Sequence, residues 1–285
     1  MDFKDLGVRE RIERETRDNI NQWFSDNRPN RYSTRISPSG LGDECVAELW
    51  YKWRWAVEPK PADGRMARYN SRGDKNEADV IAWLRGTGWT VRDIDPETGR
   101  QYAVSDLNGH LYGELDGIAS HPTLTNGIEI LLEFKYVNYK RFAGLTTKAL
   151  IEADIKYYSQ VCTYMYYRDL PACMFIPASR NDEDFKPIII PRDDTQVALL
   201  LDKAKTIMHS KTRPARIAES PAFFKCKFCD MAGVCHHNQP VAINCRSCLH
   251  CVPAENGKFA CERWGAVIPN KEAVLKACPQ HNPVK

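Results

Sequence analysis

The chain has 285 residues, 43% of them hydrophobic and 10% aromatic, which is enough for one large domain or for one domain with a small module. Its formal net charge of +3 is too small to predict nucleic-acid binding by itself, so any basic surface must be local. No apolar run approaches the length of a transmembrane helix, and the charged start of the chain lacks the apolar segment of a signal peptide. We therefore expect a cytoplasmic protein that does not contact a membrane.

Hydrophobic periodicity and turn residues predict helices and strands that alternate up to about residue 214. The predicted helices are residues 3–27, 46–57, 66–84, 146–152, 155–167 and 194–211. The predicted strands are residues 89–94, 100–105, 111–120, 127–137, 172–177 and 186–190. This order predicts an α/β (α+β) fold with a mixed central β-sheet flanked by helices. The cysteine-rich end of the chain predicts two parts, a main domain at residues 1–240 and a small module at residues 241–285.

Two of the predicted strands carry charged side chains that could converge. Asp116 lies within strand 111–120, and Glu133 and Lys135 close strand 127–137. Alternate residues of a strand share a face, so Glu133 and Lys135 point the same way, and a hairpin through residues 121–126 would bring Asp116 to that face. Two carboxylates suit Mg²⁺ or Mn²⁺, and a neighbouring ammonium can orient water. For Glu-x-Lys alone, a surface ion pair is the simpler interpretation.

Gly113, Asp116, Glu133 and Lys135 together resemble the motif of the PD-(D/E)XK nuclease superfamily, in its RecB-like branch. Leu115 stands where the family name implies proline, a residue that relatives often lack. The resemblance implies a restriction-endonuclease-like core and a metal-dependent DNA exonuclease that hydrolyses phosphodiester bonds.

Residues on either side of this motif extend the resemblance. Gln160 and Tyr164 match a Gln-x-x-x-Tyr pattern that the branch carries on the helix after the lysine strand. The resemblance implies that they support the active-site face or contact the substrate strand. Glu77 follows Gly73 by four residues, at a position where relatives often have histidine and phage recombination exonucleases of the YqaJ kind have glutamate.

The family pattern also implies roles for the charged residues in the reaction. Asp116 and Glu133 would bind Mg²⁺ or Mn²⁺, with the main-chain carbonyl of Phe134 as a further ligand and Glu77 bound directly or through water. Lys135 would position the attacking water and stabilise the charge that develops on the phosphate.

Eleven cysteines in a chain that we expect to be cytoplasmic favour metal binding over disulfides. Cys226, Cys229 and Cys235 form a Cys-x2-Cys-x5-Cys pattern that needs a fourth ligand, which Cys45 could supply. By chemistry alone, four thiolates fit either zinc or an iron–sulfur cluster. The layout resembles the iron–sulfur exonucleases of the same branch, such as the CRISPR-associated exonucleases and AddB-type nuclease domains. This resemblance implies a 4Fe–4S cluster that joins the two ends of the domain.

The tail of the chain carries a second set of candidate ligands with spacing typical of zinc. They are Cys245, Cys248, Cys251, Cys261, Cys278 and His281. We favour Cys245, Cys248, Cys261 and Cys278 as the four ligands of a Zn²⁺ ion, with His281 as the next choice and Cys251 as the spare thiol. A segment this short cannot bury a sufficient core, so the metal would hold it folded. DNA contact, protein docking and stability remain alternative roles. The isolated Cys162 and Cys173 are predicted to be core residues.

Three cations after the predicted catalytic strand could bind the DNA backbone. They are Lys140, Arg141 and Lys148, and nearby tyrosines could stack on bases, although a solvated loop has the same pattern.

Taken together, the sequence predicts an exonuclease acting on single-stranded or free-ended DNA in recombination, repair or phage DNA processing. The setting would be a bacterial or phage-infected cell. The alternative is a non-catalytic DNA-binding or scaffold protein that keeps the nuclease fold. No helicase motif is found, so a helicase or recombination protein would have to act as a partner.

Overall fold

The structure, a computed structural model, describes residues 4–28 and 31–284, which divide into two compact units. The first unit comprises the described parts of residues 1–31 and 59–83, and the second comprises residues 32–58 and 84–284. None of the helices within the described residues combines the length and the apolar character needed to span a lipid bilayer.

The helices follow most of the predicted ranges. Their bounds are α1 Leu6–Asn27, α2 Pro38–Leu41, α3 Val46–Trp53, α4 Gly64–Gly86, α5 Tyr139–Gly144, α6 Thr147–Ala153, α7 Ile155–Arg168, α8 Asp194–His209, α9 Phe224–Lys227, α10 Ala232–His236 and α11 Lys271–Lys276. The start of the predicted helix 3–27, at residue 3, lies outside the described residues. The predicted helix 46–57 ends early, at Trp53, because the chain turns through Trp55, which has a φ of 51°.

The strands are more numerous than predicted and most are shorter, but β8 extends beyond its predicted end at residue 177. Their bounds are β1 Thr90–Arg92, β2 Ile94–Asp95, β3 Arg100–Gln101, β4 Ala103–Asp106, β5 Leu111–Glu114, β6 Gly117–Ser120, β7 Ile130–Val137, β8 Ala172–Ser179, β9 Ile188–Pro191, β10 Cys251–Pro253, β11 Phe259–Cys261 and β12 Ala266–Ile268.

The first unit is built on α1 and most of α4. Asp5 caps the start of α1, because its side-chain oxygen accepts the amide N–H of Val8 at 3.2 Å. At the other end of α1, Arg28 forms an ion pair of 2.5 Å with Asp74 on α4. At Gly64 the two helices approach so closely that an added Cβ would collide with the backbone of α1 at Asn21. Glycine at the start of α4 therefore allows this contact.

A five-stranded mixed sheet forms the centre of the second unit. Its order is β1-β6-β7-β8-β9, with β7 and β8 parallel and the other pairs antiparallel. The parallel pair needs a long crossover, and α5, α6 and α7 supply it. The first five residues of β7 are all buried, as expected for a strand covered on both faces. The predicted mixed sheet flanked by helices is confirmed in this coarse form.

The prediction of a single strand at residues 111–120 is wrong in detail, because the structure has two strands there. β5 pairs with β4 in a separate two-stranded sheet, whereas β6 joins the central sheet. The break falls at Leu115 and Asp116, where the Asp116 carboxylate accepts the main-chain N–H of Phe134 at 2.7 Å. The side chain therefore takes a donor that a neighbouring strand would otherwise use.

The cysteine-rich end packs into the second unit. β10, β11 and β12 form a three-stranded antiparallel sheet. Arg54, just after α3, donates to the carbonyl of Cys251 at 2.9 Å, and the Asn244 side chain donates to the carbonyl of Trp55 at 3.0 Å. Residues on both sides of position 240 thus belong to one unit, and a module that starts at residue 241 stays a prediction.

Candidate active site

The structure brings three of the predicted site residues together beside the edge where β6 meets β7. Glu133 and Lys135 lie two residues apart on β7, and the Lys135 ammonium donates to Glu133 Oε1 and, at 3.0 Å, to the carbonyl of Phe134. Asp116 directly precedes β6, which pairs with β7 in the register Gly117 to Leu132. Because the Asp116 carboxylate accepts the Phe134 N–H and the Lys135 ammonium donates to the Phe134 carbonyl, both carboxylates and the ammonium lie around the main chain of Phe134.

Burial and the charges of neighbouring side chains determine the protonation states of Asp116 and Lys135. Glu133 is fully buried, and the Lys135 side chain is 22% exposed. Burial raises the pKa of Asp116, although the Lys135 ammonium and the Phe134 N–H act in the opposite direction. Burial alone would lower the pKa of Lys135, but the carboxylates of Glu133 and Asp116 outweigh it and raise this pKa above its usual range. Lys135 therefore remains an ammonium ion at neutral pH.

Helix α7 presents the predicted glutamine and tyrosine to this group. Gln160 Nε2 donates to Glu133 Oε1 at 2.7 Å, so Glu133 accepts from both Gln160 and Lys135. Tyr164 lies one turn further along the same face of the helix. Burial raises the pKa of Tyr164 above its usual range, with the carboxylates of Glu133 and Asp116 adding to the effect, so its hydroxyl stays neutral.

Gly113 is explained by a close approach to this tyrosine. A Cβ at position 113 would lie 2.6 Å from the Tyr164 hydroxyl oxygen and 2.9 Å from Pro38 Cδ. A side chain at position 113 would have to displace them, and glycine avoids this. The matched motif residues of β5 and α7 are therefore in direct contact.

Tyr157 belongs to the site but was not among the predicted residues. The Lys135 Nζ atom lies 5.6 Å from the centre of its ring, and the Arg141 guanidinium lies 4.3 Å from it. Tyr157 precedes Gln160 by three residues, so a helical face drawn through Gln160 and Tyr164 would have included it. The ring joins the candidate catalytic lysine to a candidate DNA-binding arginine.

Glu77 is the remaining predicted catalytic residue, and it belongs to the first unit. Glu77 lies on α4 in the first unit, whereas Asp116, Glu133 and Lys135 belong to the second. A role for Glu77 as a metal ligand stays a prediction.

The three predicted DNA-binding cations lie on α5 and α6, immediately after β7. Lys140 is exposed. Arg141 pairs with Asp154 at 2.6 Å, and Lys148 is 3.9 Å from Glu152 in a largely exposed ion pair. Such surface pairs hold the side chains weakly, so the cations remain accessible to phosphate.

The oxygen atoms of the site suit a hard divalent cation. Asp116 and Glu133 supply carboxylates and Phe134 supplies a carbonyl, which are ligand types that Mg²⁺ and Mn²⁺ accept. Within residues 4–28 and 31–284, no group of three or more His, Cys, Asp or Glu side chains is arranged to hold a metal ion. Any bound cation would therefore take the carbonyl or water in addition to these two carboxylates.

The first set of cysteines joins distant parts of the chain. Cys45 caps α3, with its sulfur accepting the Glu48 N–H at 3.4 Å. Burial, together with the nearby thiols of Cys45 and Cys235, raises the pKa of Cys226. Burial raises the pKa of Cys229 to about 12. The early cysteine thus lies near two of its three late partners, while the nature of a bound cofactor stays a prediction.

The six candidate zinc ligands near the end of the chain lie around a single cavity. Cys245, Cys248, Cys251, Cys261, Cys278 and His281 all line a cavity of about 220 Å³. The other two cysteines, Cys162 and Cys173, are fully buried in the hydrophobic core, as predicted.

Comparison with sequence models of protein families and with curated proteins gives no match. Among solved structures, the crystal structure of SSO0001 is similar, with a TM-score of 0.42 and 13% identity, covering 77% of this chain and 96% of that one. LHK-Exo in complex with dAMP gives a TM-score of 0.40 and 17% identity, covering 65% of this chain and 89% of that one. The alkaline exonuclease LHK-Exo from Laribacter hongkongensis gives 0.38 and 18% over the same shares. At these scores, the likeness carries no functional inference.

Proposed function

We propose that this chain is a metal-dependent deoxyribonuclease that hydrolyses phosphodiester bonds, acting as an exonuclease on single-stranded or free-ended DNA. The proposal rests on one observation. Asp116, Glu133 and Lys135 lie around the main chain of Phe134 on β7, with Gln160 bound to Glu133. A fully buried carboxylate, a half-buried one and an ammonium held between them are more than a surface ion pair requires. They match the resemblance of the sequence to the PD-(D/E)XK nucleases.

Each residue has a role that follows from its contacts. A Mg²⁺ or Mn²⁺ ion held by Asp116, Glu133 and the Phe134 carbonyl would polarise the scissile phosphate and lower the pKa of a bound water. Lys135 stays protonated, so it can orient the attacking water and stabilise negative charge on the phosphoryl oxygens. Gln160 keeps Glu133 in place by a hydrogen bond. Tyr157 lies against the lysine and keeps it from turning away.

The further parts of the proposal come from the resemblance. Glu77 would bind metal directly or through water, and Lys140, Arg141 and Lys148 would bind the DNA backbone. Cys45, Cys226, Cys229 and Cys235 would hold a 4Fe–4S cluster with a structural role. The reaction would serve recombination, repair or phage DNA processing in the cytoplasm, alongside a helicase or recombination protein.

Digestion of end-labelled single- and double-stranded DNA, with Mg²⁺, Mn²⁺ or EDTA, tests the reaction. The wild-type chain should cleave with either metal and not with EDTA. Lys135→Met removes the ammonium but keeps the volume of the side chain, and it should lower the rate by about 10²–10³-fold, the usual cost of losing one transition-state donor. Lys205→Met, at an exposed position on α8, is the matched control and should cleave normally.

Two outcomes would contradict the proposal. If the wild-type chain binds DNA without cutting it under any metal condition, the non-catalytic scaffold alternative is favoured. If Lys135→Met cleaves as fast as Lys205→Met, the reaction takes place elsewhere on the chain.

A further inference from the structure

Four cysteines of the tail converge on one space from separate segments. Cys245 and Cys248 lie in one turn, in which the Cys248 N–H donates to the Cys245 carbonyl at 3.0 Å. Cys261 ends β11, and Cys278 follows α11. All four side chains line the cavity of about 220 Å³. Because the four positions span more than 30 residues of sequence, only tertiary folding brings them together.

Side-chain contacts link this turn to the segment that carries Cys278. The Cys245 thiol donates to the carbonyl of Ala273 on α11 at 3.7 Å. The Cys248 sulfur accepts the main-chain N–H of Asn282 at 3.4 Å, so the segment after Cys278 also contacts this turn. Cys251 and His281 line the same cavity, so the choice of these four ligands follows the spacing of the cysteines in the sequence.

The other two candidates have different surroundings. Cys251 lies on β10 opposite Cys261, and its main-chain carbonyl accepts from Arg54 at 2.9 Å. His281 Nε2 is 3.0 Å from the Ser247 hydroxyl and forms a hydrogen bond with it. The main chain of Cys251 is therefore bound by Arg54, and His281 already has a polar partner.

Two buried arginines, Arg246 and Arg54, lie beside these cysteines and give evidence that does not depend on the cysteine spacing. Arg246 is 1% exposed, and its guanidinium lies 4.3 Å, 4.6 Å and 4.3 Å from the ring centres of Trp53, Trp55 and Phe259. It donates to the carbonyl of Ser33 at 3.0 Å, whereas its Nε and Nη2 atoms have no hydrogen-bond partner among the described residues. No carboxylate pairs with it in that part of the chain.

Arg54 is likewise a buried arginine. It is 4% exposed and donates to the carbonyls of Cys251 and Ser210 at 2.9 Å and 2.8 Å. Its Nε atom has no hydrogen-bond partner within residues 4–28 and 31–284. The Glu262 carboxylate acts on Arg54, whereas no carboxylate among the described residues acts on Arg246. A buried charge without an anionic partner destabilises a protein by several kcal/mol, so Arg246 indicates that further negative charge belongs nearby.

We propose that Cys245, Cys248, Cys261 and Cys278 bind one Zn²⁺ ion as thiolates, and that Arg246 and Arg54 supply the compensating positive charge. Four thiolates and Zn²⁺ sum to a charge of −2, which two guanidinium groups balance. In the part of the chain that the structure describes, these thiols do not yet form a metal-binding group. On binding Zn²⁺, each thiol releases its proton to the solvent. The proposal is independent of the nuclease reaction.

Residue-resolved alkylation of the full wild-type chain tests the ligand set. Native protein, with Zn²⁺ added or after treatment with a chelator, is exposed to an alkylating reagent, and each cysteine is quantified by peptide mass spectrometry. Zinc should protect Cys245, Cys248, Cys261 and Cys278 together. Buried Cys251 should react to the same extent in both states. Equal alkylation of the four with and without zinc, or zinc-dependent protection of Cys251 in place of one of them, overturns the assignment.

The role of the arginines is tested with Arg246→Met and its control Arg246→Lys. Loss of an outer group that supports a metal site typically weakens metal binding about 10–100-fold. Arg246→Met should therefore lower the zinc affinity by that factor in competition with a chromophoric chelator, and Arg246→Lys should lower it less. Arg246→Met should also unfold at a higher temperature than wild type in the zinc-free state, because an unpaired buried charge is gone. A residue that only packs against the aromatic rings would destabilise both states. Unchanged zinc affinity in Arg246→Met overturns the charge assignment.

Discussion

The hydroxyl of Tyr164 lies so close to Gly113 that a Cβ there would come within 2.6 Å of the oxygen. This contact joins the end of β5 to the face of α7 that carries Gln160. It therefore fixes how far the glutamine reaches toward Glu133.

Gly113→Ala should displace Tyr164 and α7, weaken the hydrogen bond from Gln160 to Glu133, and reduce cleavage. Over-packing of this kind typically costs about 1–3 kcal/mol of stability. Gly144→Ala is the control, because a Cβ at Gly144 meets nothing within 4 Å. Chemical denaturation and single-turnover cleavage of both variants check the prediction. Wild-type stability and rate in Gly113→Ala would contradict it.

Asp116→Asn should abolish cleavage and stabilise the metal-free protein. Burial raises the pKa of Asp116 in the folded state. Its contribution to stability is therefore present below the unfolded pKa, about 3.9, and is lost as the pH rises through the folded pKa. An asparagine does not ionise, so the variant should unfold at a higher temperature than wild type at neutral pH.

The difference in unfolding temperature should disappear at acidic pH, where Asp116 is protonated in both states. Thermal unfolding in EDTA across this pH range provides the measurement. Asp182→Asn, at an exposed position, is the matched control and should show no such trend. An Asp116→Asn protein that is less stable than wild type at neutral pH would show that the ionised carboxylate stabilises the fold.

Tyr157→Leu should slow cleavage by removing the ring beside Lys135 and Arg141. A cation near an aromatic face gains about 0.5–1 kcal/mol at a partly exposed site, so the loss should be a few-fold in rate or in DNA affinity. Tyr157→Phe keeps the ring and should behave like wild type. Single-turnover cleavage at saturating DNA separates the effect on Lys135 from the effect on DNA binding. Equal activity of the leucine and phenylalanine variants would exclude a role for the ring.

Asp193→Ala should destabilise the protein near neutral pH. Asp193 caps α8, where it accepts the Gln196 N–H at 3.0 Å and the Tyr158 hydroxyl at 2.8 Å. Losing such a cap typically costs about 0.5–2 kcal/mol. The N–H of Gln196 and the hydroxyl of Tyr158 lower the pKa of Asp193.

This pKa shift gives the stabilising effect of Asp193 a defined pH range. The part that comes from its charge is present above the unfolded pKa, about 3.9, and is lost as the pH falls through the lower folded pKa. The difference in unfolding free energy between wild type and Asp193→Ala should therefore shrink in that acidic range. Asp202→Ala, at an exposed position on the same helix, should show a smaller difference at every pH. If the difference in unfolding free energy between wild type and Asp193→Ala stays constant with pH, the charge of Asp193 does not contribute to stability.

The sequence allowed the charged face of β7 to be predicted because side chains alternate strictly along a strand. The break at Leu115 and Asp116 could not be predicted in the same way. It depends on a hydrogen bond from Phe134, which is 18 residues away from Asp116 along the chain. Continuous apolar patterning gives no sign that one residue has left the sheet.

Other features were missed because local sequence does not determine them. Tyr157 lies in a helix rich in tyrosine, so residue type alone did not distinguish the face toward the site from the face toward the core. The early end of α3 depends on Trp55 in a left-handed conformation, for which a tryptophan gives no signal. Arg54 and Arg246 would be expected at the surface, and only the fold shows that they are buried.

The contacts of Arg246 with Trp53 and Trp55 have a consequence for the time course of synthesis. The indole rings emerge from the ribosome early, whereas Arg246 and Phe259 follow roughly two hundred residues later; at about 5–20 residues per second, this takes ten seconds or more. During that interval the tryptophan-rich segment lacks its final partners. A nascent chain halted before residue 246 should therefore expose indole surface, which chaperones recognise. Tryptophan fluorescence of stalled chains would shift toward shorter wavelength only once Phe259 has left the exit tunnel.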